Sequence, residues 1–314
     1  MKICVLGAGS LGCAIGGVLA EAGNEVWLVN RGHALVEAIQ KNGLILREAD
    51  VDRTVAVNAT TDCAEIASIS GVMDLIIVLV KSFHTEVAIN AALPIVGENT
   101  VVLSLQNGLG HEDVLAAAVG RSKLLAGKTY AGGLMLAPGH VSVGKVGKDT
   151  HIGELDGSQS DRVLRIAKAF NGAGLLTVVS DNILGTIWEK LLVNVATGAL
   201  SGITRLPYGE LYRVPELEAC AVAAVTEAMA VAKASGVKLI TADPRAPWIK
   251  AGAGLGADFK ASMLQSLEKG SVTEIDFVNG SVVQCGAKLG VPTPVNSTLV
   301  ACMKGIERGL AQQH

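Results

Sequence analysis

The stretch Lys2-Ile3-Cys4-Val5-Leu6-Gly7-Ala8-Gly9-Ser10-Leu11-Gly12 decides the fold of this chain. An apolar run at 2–6 reads as a buried strand. Leu11, Ile15, Val18 and Leu19 recur at helical spacing, which predicts a helix over 10–22. Between them lies GxGxxG. Gly7 permits a tight turn, Gly9 lets backbone approach a pyrophosphate, and Gly12 allows close helix–sheet packing. The helix start then offers unpaired N–H groups and its positive dipole end to phosphate. A lone GxGxxG carries little in a chain with 37 glycines. Here a second strand follows at 25–30, so residues Gly7, Ala8, Gly9, Ser10, Leu11 and Gly12 are expected to bind a dinucleotide.

That second strand ends in Asn30-Arg31. Binders of NAD place an acid there for the ribose 2′-hydroxyl. A guanidinium instead pairs with a 2′-phosphate and stacks on adenine. The expected cofactor is therefore NADP(H), unless Arg31 is only a solvated loop residue.

Outward from this motif, the 314 residues suffice for about two domains. Half the chain is apolar and 18 % is charged, enough for a large core. A net charge of −3 and 3 % aromatic residues argue against a nucleic-acid surface. Mean hydropathy is high at +0.44. The apolar run 75–80 nevertheless ends at Lys81, well short of the roughly 18–20 residues that span a bilayer. No membrane partner is expected. The chain opens Met1-Lys2-Ile3 straight into the first strand, so no secretory leader is expected. The six cysteines form no CxxC pair, consistent with reduced thiols in the cytoplasm, and no metal site is expected.

Further strands are predicted at 75–80, 101–105, 123–127 and 141–143, with helices at 33–42 and 112–118 between them. Apolar strands alternating with helices mean a parallel sheet covered on both faces. Residues 44–57 read as a hairpin or short irregular strands. A helix at 161–171 and a strand at 175–179 close this half. Beyond it the pattern is helical, at 182–199, 215–235, 244–250, 273–289 and 294–310. The fold class is α/β: an N-terminal Rossmann-type parallel-sheet domain over 1–180, then an all-helical C-terminal domain over 181–314. Apolar surface on the helices at 215–235 and 294–310 is enough for a homodimer interface, although such faces are commonly core.

Lys81 stands at the carboxyl end of a buried strand, where open α/β sheets bind ligands. It reads equally as a solvated strand-end charge. Gln106-Asn107-Gly108 occupies the same place after the next strand, with amide donors for a ribose or a carbonyl, or as ordinary loop chemistry. Lys190, Asn194 and Gly198 recur every fourth residue on one face of the 182–199 helix. Lys190 is placed to protonate a developing alkoxide. Alternatively, Glu189 and Lys190 form a solvated pair at the helix edge.

Taken together these segments resemble the ketopantoate reductases. The resemblance runs through Gly7–Gly12, Asn30-Arg31, Val80-Lys81 and Gln106-Asn107-Gly108. It continues through Trp188-Glu189-Lys190-Leu191-Leu192-Val193-Asn194, Ser262-Met263-Leu264-Gln265, Thr273-Glu274-Ile275-Asp276 and Asn279-Gly280. It implies a Rossmann domain, a helical domain and NADPH-dependent reduction of a small-molecule 2-keto acid, 2-dehydropantoate, to (R)-pantoate on the route to pantothenate. By resemblance, Lys190 is the catalytic lysine and Glu274 the acid near the reacting group and the cofactor ribose. Asn194 and Ser262 are substrate contacts. Lys81 and Asn107 serve cofactor and substrate, and Ala131 meets the nicotinamide through its backbone.

Three positions depart from the family pattern: Gly198 replaces a second Asn, Tyr208 stands in the usual Pro-Asn-Gly, and Phe259 replaces a polar residue. The alternative they raise is a family reductase of a more apolar 2-keto acid. A non-catalytic NADPH-binding sensor and a phosphogluconate-type dehydrogenase are competing readings. Such a dehydrogenase leaves Ser262–Gln265 and Thr273–Asp276 unexplained.

Overall fold

The computed structural model describes residues 1–145 and 147–311. They divide into two compact units, 1–106 with 111–183, and 107–110 with the residues from 184 onward.

In the first unit, β1 (Lys2–Leu6), α1 (Ser10–Glu21), β2 (Glu25–Val29) and α2 (His33–Asn42) lead into a hairpin, β3 (Leu44–Glu48) and β4 (Val51–Val55). Next come β5 (Asn58–Thr60), α3 (Cys63–Ile69), β6 (Leu75–Val78), α4 (Thr85–Ala91), β7 (Val101–Ser104), α5 (His111–Val119) and β8 (Leu124–Thr129). The unit closes with β9 (Gly132–Ala137), β10 (His140–Gly144), β11 (Thr150–Gly153), α6 (Asp161–Gly172) and β12 (Thr177–Val179).

Eight strands form one sheet in the order β12-β11-β8-β7-β6-β1-β2-β5. All pairs described are parallel except β11 with β8. The chain leaves β1 toward β2 and later returns to β6 on the other side. The strand order therefore reverses between β1 and β6.

The apolar runs alternate between two buried faces, as a doubly covered sheet requires. Ile3, Val5, Leu75 and Ile77 face a core with α1, α2 and α6, in which Phe170 is fully buried. Cys4, Leu6, Ile76 and Val78 face another with Ile66, Ile89 and Leu115 from α3, α4 and α5.

Sequence periodicity did not anticipate the second sheet, β4-β3-β10-β9. The strand predicted at 141–143 belongs to it as part of β10, and β9, β11, α3 and α4 are further elements not foreseen. The hairpin at 44–57 is present as β3 and β4. Helix α1 lies between the two sheets and is buried continuously from Gly12 to Leu19. A Cβ on Gly16 would come within 2.5 Å of Leu28 in the large sheet, and one on Gly17 within 2.7 Å of Leu44 in the small one. Two adjacent glycines thus let one helix approach both layers.

The second unit is helical: α7 (Ile183–Thr204), α8 (Tyr208–Leu211), α9 (Pro215–Ala234), α10 (Ala246–Gly252), α11 (Ser262–Glu268), α12 (Asn279–Leu289) and α13 (Pro294–Ala311). Its core joins Leu191, Leu192 and Val195 to Ala224, Val225, Val282 and Met303. Helix α7 is long and apolar enough to cross a membrane, but 67 % of its most apolar window is buried, as in a core helix. The continuous helix expected over 273–289 is broken. A short 3-10 turn at Ile275–Phe277 precedes α12, and Val278 between them has φ −106° and ψ −92°, outside helical space. Thr273 Oγ1 donates to Glu307 Oε1 at 2.6 Å.

Replacing Gly16 by Val should lower stability by about 1–3 kcal/mol, the usual cost of overpacking a filled core. A urea denaturation midpoint unchanged from the parent protein would show that α1 has more room than these contacts allow.

Candidate functional site

In the first unit the strand reversal between β1 and β6 is where open α/β sheets form a ligand crevice. Gly7 has φ +99°, and a Cβ there would clash with the Leu79–Val80 peptide just beyond β6. A Cβ on Gly12 would strike the Gly7 carbonyl. These two glycines are required by the fold itself. Gly9 is different: its φ of −77° suits any residue, and a Cβ there would meet nothing within 4 Å. Its small size leaves open space in front of the α1 N-terminus, which has no side-chain cap. A pyrophosphate suits that space, being an anion that accepts from the exposed first-turn N–H groups.

The surrounding loops are braced from within. Asn30 Nδ2 donates to the Ala8 carbonyl at 2.8 Å, and Asn30 Oδ1 accepts from Gly32 N at 2.7 Å. One side chain thereby ties the glycine turn to the Arg31 loop. Ser10 and Leu11 are half-buried and Ala8 is buried. Ser10 Oγ accepts from Met135 N at 3.2 Å, which seats β9 against the start of α1. Lys81 is exposed directly after Val80, next to Gly7. Gln106, which the sequence offered as a ligand donor, is buried instead. Its Nε2 donates to the Val80 carbonyl at 2.9 Å and to Thr85 Oγ1 at 2.8 Å. Ala131 is half-buried just past β8, and its N–H donates to Thr129 Oγ1 at 3.0 Å.

Arg31 is exposed, and its Nη2 lies 2.7 Å from His84 Nε2. Burial and the neighbouring Arg31 charge hold His84 below the ordinary imidazole value. Sequence reasoning missed His84. Its place three residues after Lys81 was a signal, but the 53-residue separation from Arg31 hid the pairing.

In the second unit, Lys190 and Asn194 are half-buried one turn apart on α7. Glu189 is an anchor rather than half of a solvated pair. Its Oε1 accepts from Ile240 N and Thr241 N, both at 2.8 Å, and Oε2 accepts from the Thr241 hydroxyl. Glu274 is half-buried, and its backbone is fixed from both sides. Thr273 N donates to Glu307 Oε1 at 2.8 Å, Ile275 is fully buried, and Asp276 pairs with Lys304.

Asn107, half-buried, joins this unit through the loop that follows it. Gly108 has φ +95°, and a Cβ there would clash with the Phe277 carbonyl, which accepts from Leu109 N at 3.0 Å. Phe277 N in turn donates to the Glu274 carbonyl at 3.0 Å. This chain of contacts brings the Asn107 loop to the Glu274 turn.

The three departing positions also fall in this unit. Gly198 is buried, with Met263 Cε 3.3 Å from where its Cβ would stand. Ser262, exposed, immediately precedes that methionine at the start of α11. Tyr208 is buried, and its hydroxyl is 2.9 Å from Thr197 Oγ1. Phe259 stands edge-on to the Tyr208 ring, centroids 5.0 Å apart. Burial pushes the Tyr208 phenol up despite the Thr197 bond.

Family models for ketopantoate reductase PanE/ApbA and for its C-terminal region match residues 3–157 and 182–307. The 2-dehydropantoate 2-reductase of Pyrococcus horikoshii is 36 % identical over 308 residues, 98 % of each chain. That of Archaeoglobus fulgidus is 33 % identical over 309 residues, 98 % of this chain and 99 % of its own. Among solved structures, a PanE/ApbA family ketopantoate reductase from Ralstonia eutropha JMP134 is 37 % identical, covers both chains fully and has a TM-score of 0.88. A D-mandelate dehydrogenase bound to NADH and anilino(oxo)acetate is 26 % identical, with a TM-score of 0.89 over 99 % of this chain and 100 % of its own.

Gly9→Ala should fold as the parent does, since its backbone is ordinary, yet bind the dinucleotide about tenfold or more weakly, about 1.4 kcal/mol. Calorimetric titration alongside thermal melting separates the two effects. Equal affinity would mean that no ligand backbone comes close to Gly9.

Proposed function

The chain belongs to the ketopantoate reductase family and is an oxidoreductase, and from that premise we propose that it reduces 2-dehydropantoate to (R)-pantoate with NADPH. Residues 1–180 would hold the cofactor and 181–314 the substrate, in the cytoplasm. The observation that carries the chemistry is the half-buried Lys190–Asn194 face of α7, beside a Glu189 already occupied by the 240–241 loop.

Gly7 to Gly12 would receive the pyrophosphate, Arg31 the 2′-phosphate, and Lys81, Asn107, Ala131 and Glu274 the remainder of the cofactor. When bound, NADPH supplies a hydride to the substrate carbonyl carbon. As that carbon is reduced, negative charge gathers on its oxygen. The Lys190 ammonium stabilises this charge and transfers a proton to it, completing the hydroxyl, and is reprotonated from solvent. Glu274 orients the ammonium or the new hydroxyl from its braced turn. Asn194, Ser262 and Asn107 hold the carboxylate and the distal hydroxyl.

A second reading, reduction of a more apolar 2-keto acid, draws on the departing positions. The Met263 thioether lies against Gly198, and Tyr208 and Phe259 turn aromatic edges to each other. The Tyr208 hydroxyl is already bonded to Thr197. None of the three adds a free donor for a substrate hydroxyl. The D-mandelate dehydrogenase relative, whose name denotes an aryl hydroxy acid, points the same way.

NADPH oxidation should proceed with 2-dehydropantoate at least about 100-fold more efficiently than with 2-ketoisovalerate, which lacks the hydroxymethyl group. Equal or reversed preference would favour the second reading. Lys190→Ala should lower kcat about 100- to 1,000-fold, the effect of losing one oxyanion donor. Unimpaired turnover by that variant would remove Lys190 from the mechanism.

A further inference from the structure

We propose that His84 is a second ligand of the cofactor 2′-phosphate and becomes protonated when that phosphate binds, so that NADPH, but not NADH, is taken up together with a proton. This rests on the reading that the chain uses NADPH through Arg31.

The Arg31 guanidinium meets His84 Nε2 at 2.7 Å. A guanidinium only donates, so in the ligand-free pair Nε2 is the acceptor and the ring is neutral. Arg31 is the charged group whose field acts on His84, and with burial it disfavours a second positive charge there. His84's sequence neighbours Lys81 and Glu86 are exposed, as is His33 at the start of α2. Arg31 lies two residues past the end of β2, where the adenosine ribose of a dinucleotide is read. A phosphate dianion arriving at Arg31 brings its oxygens within reach of the atom that Arg31 now contacts.

The arrival reverses the sign of the local field. Nε2 then faces an acceptor rather than a donor, and a lone pair against a phosphate oxygen is repulsive. A proton taken from solvent onto Nε2 turns that contact into a charge-assisted N–H···O bond. The imidazole carries the new charge, the phosphate stays dianionic, and the Arg31–Nε2 hydrogen bond gives way as the guanidinium turns its N–H to the phosphate. NADH lacks the phosphate and leaves the Arg31–His84 contact as it is. The arrangement differs from an arginine alone, because discrimination against NADH then depends on pH.

The test is calorimetric titration of the full chain with NADPH and with NADH, in two buffers of different ionisation enthalpy. The range from about pH 6.5 to 8 lies above the second pKa of a phosphate monoester, about 6. The parent protein should take up close to one proton per NADPH and none per NADH. NADPH affinity should fall with rising pH by up to about tenfold per unit, and NADH affinity should not. His84→Gln should abolish both the uptake and the slope, with thermal melting as the check on folding. Arg31→Gln should remove most of the preference for NADPH. No uptake in the parent, or the same uptake in His84→Gln, overturns the proposal. NADPH binding no tighter than NADH at any pH overturns instead the cofactor reading beneath it.

Discussion

The close approach of Gly7 to the Leu79–Val80 peptide is the contact on which the rest of the first unit depends. It occurs where the strand order reverses between β1 and β6, so the crevice and the phosphate turn have the same origin. A side chain at Gly7 would push the turn away from β6 and displace Lys81, which follows Val80. Gln106 holds the Val80 carbonyl from the β7 side, and Asn30 holds the Ala8 carbonyl from the β2 side. Three strand ends are thereby fixed around one turn, while the space in front of Gly9 is left open.

The helical unit solves a different problem, since its long apolar helices carry few polar groups to hold the loops between them. Three glutamates serve that purpose. Glu189 accepts from the 240–241 backbone, Glu307 from Thr273 N, and Glu227 from Val295 N and Asn296 N at the start of α13. Asn296, fully buried, adds bonds to Glu227, to the Ala224 carbonyl and to Asn279. Such partners stabilise a half-buried carboxylate or a buried amide, and removing one would strand the others. The turn carrying Glu274 inherits its position from this scaffold through Thr273 and Asp276.

Much of this was legible in the residues. Strand and helix over 2–22, the parallel sheet and the helical second half follow from periodicities that burial imposes on local sequence. Candidate residues adjacent along the chain, such as Lys190 and Asn194, were legible for the same reason. The second sheet was not, because β10 pairs with β3 across about 95 residues, from Ile45 to His140, and β9 joins the sheet only through β10. Gln106 read as a possible ligand donor, and its burial beneath Val80 shows in no local pattern. The break at Val278 was hidden because residues 273–289 keep helical spacing through it, and only the ties to α13 turn the chain.

What the sequence determined by itself is the chemistry within one segment: a glycine turn open to phosphate, a guanidinium in place of an acid, and a lysine and an asparagine one turn apart. The tertiary structure alone decided which polar groups remain for ligands. It occupied Gln106, Glu189 and the Tyr208 hydroxyl internally, set Met263 against Gly198, and brought Arg31 to His84. The physical reason is that a buried donor or acceptor must find a partner, and that partner is generally distant in sequence.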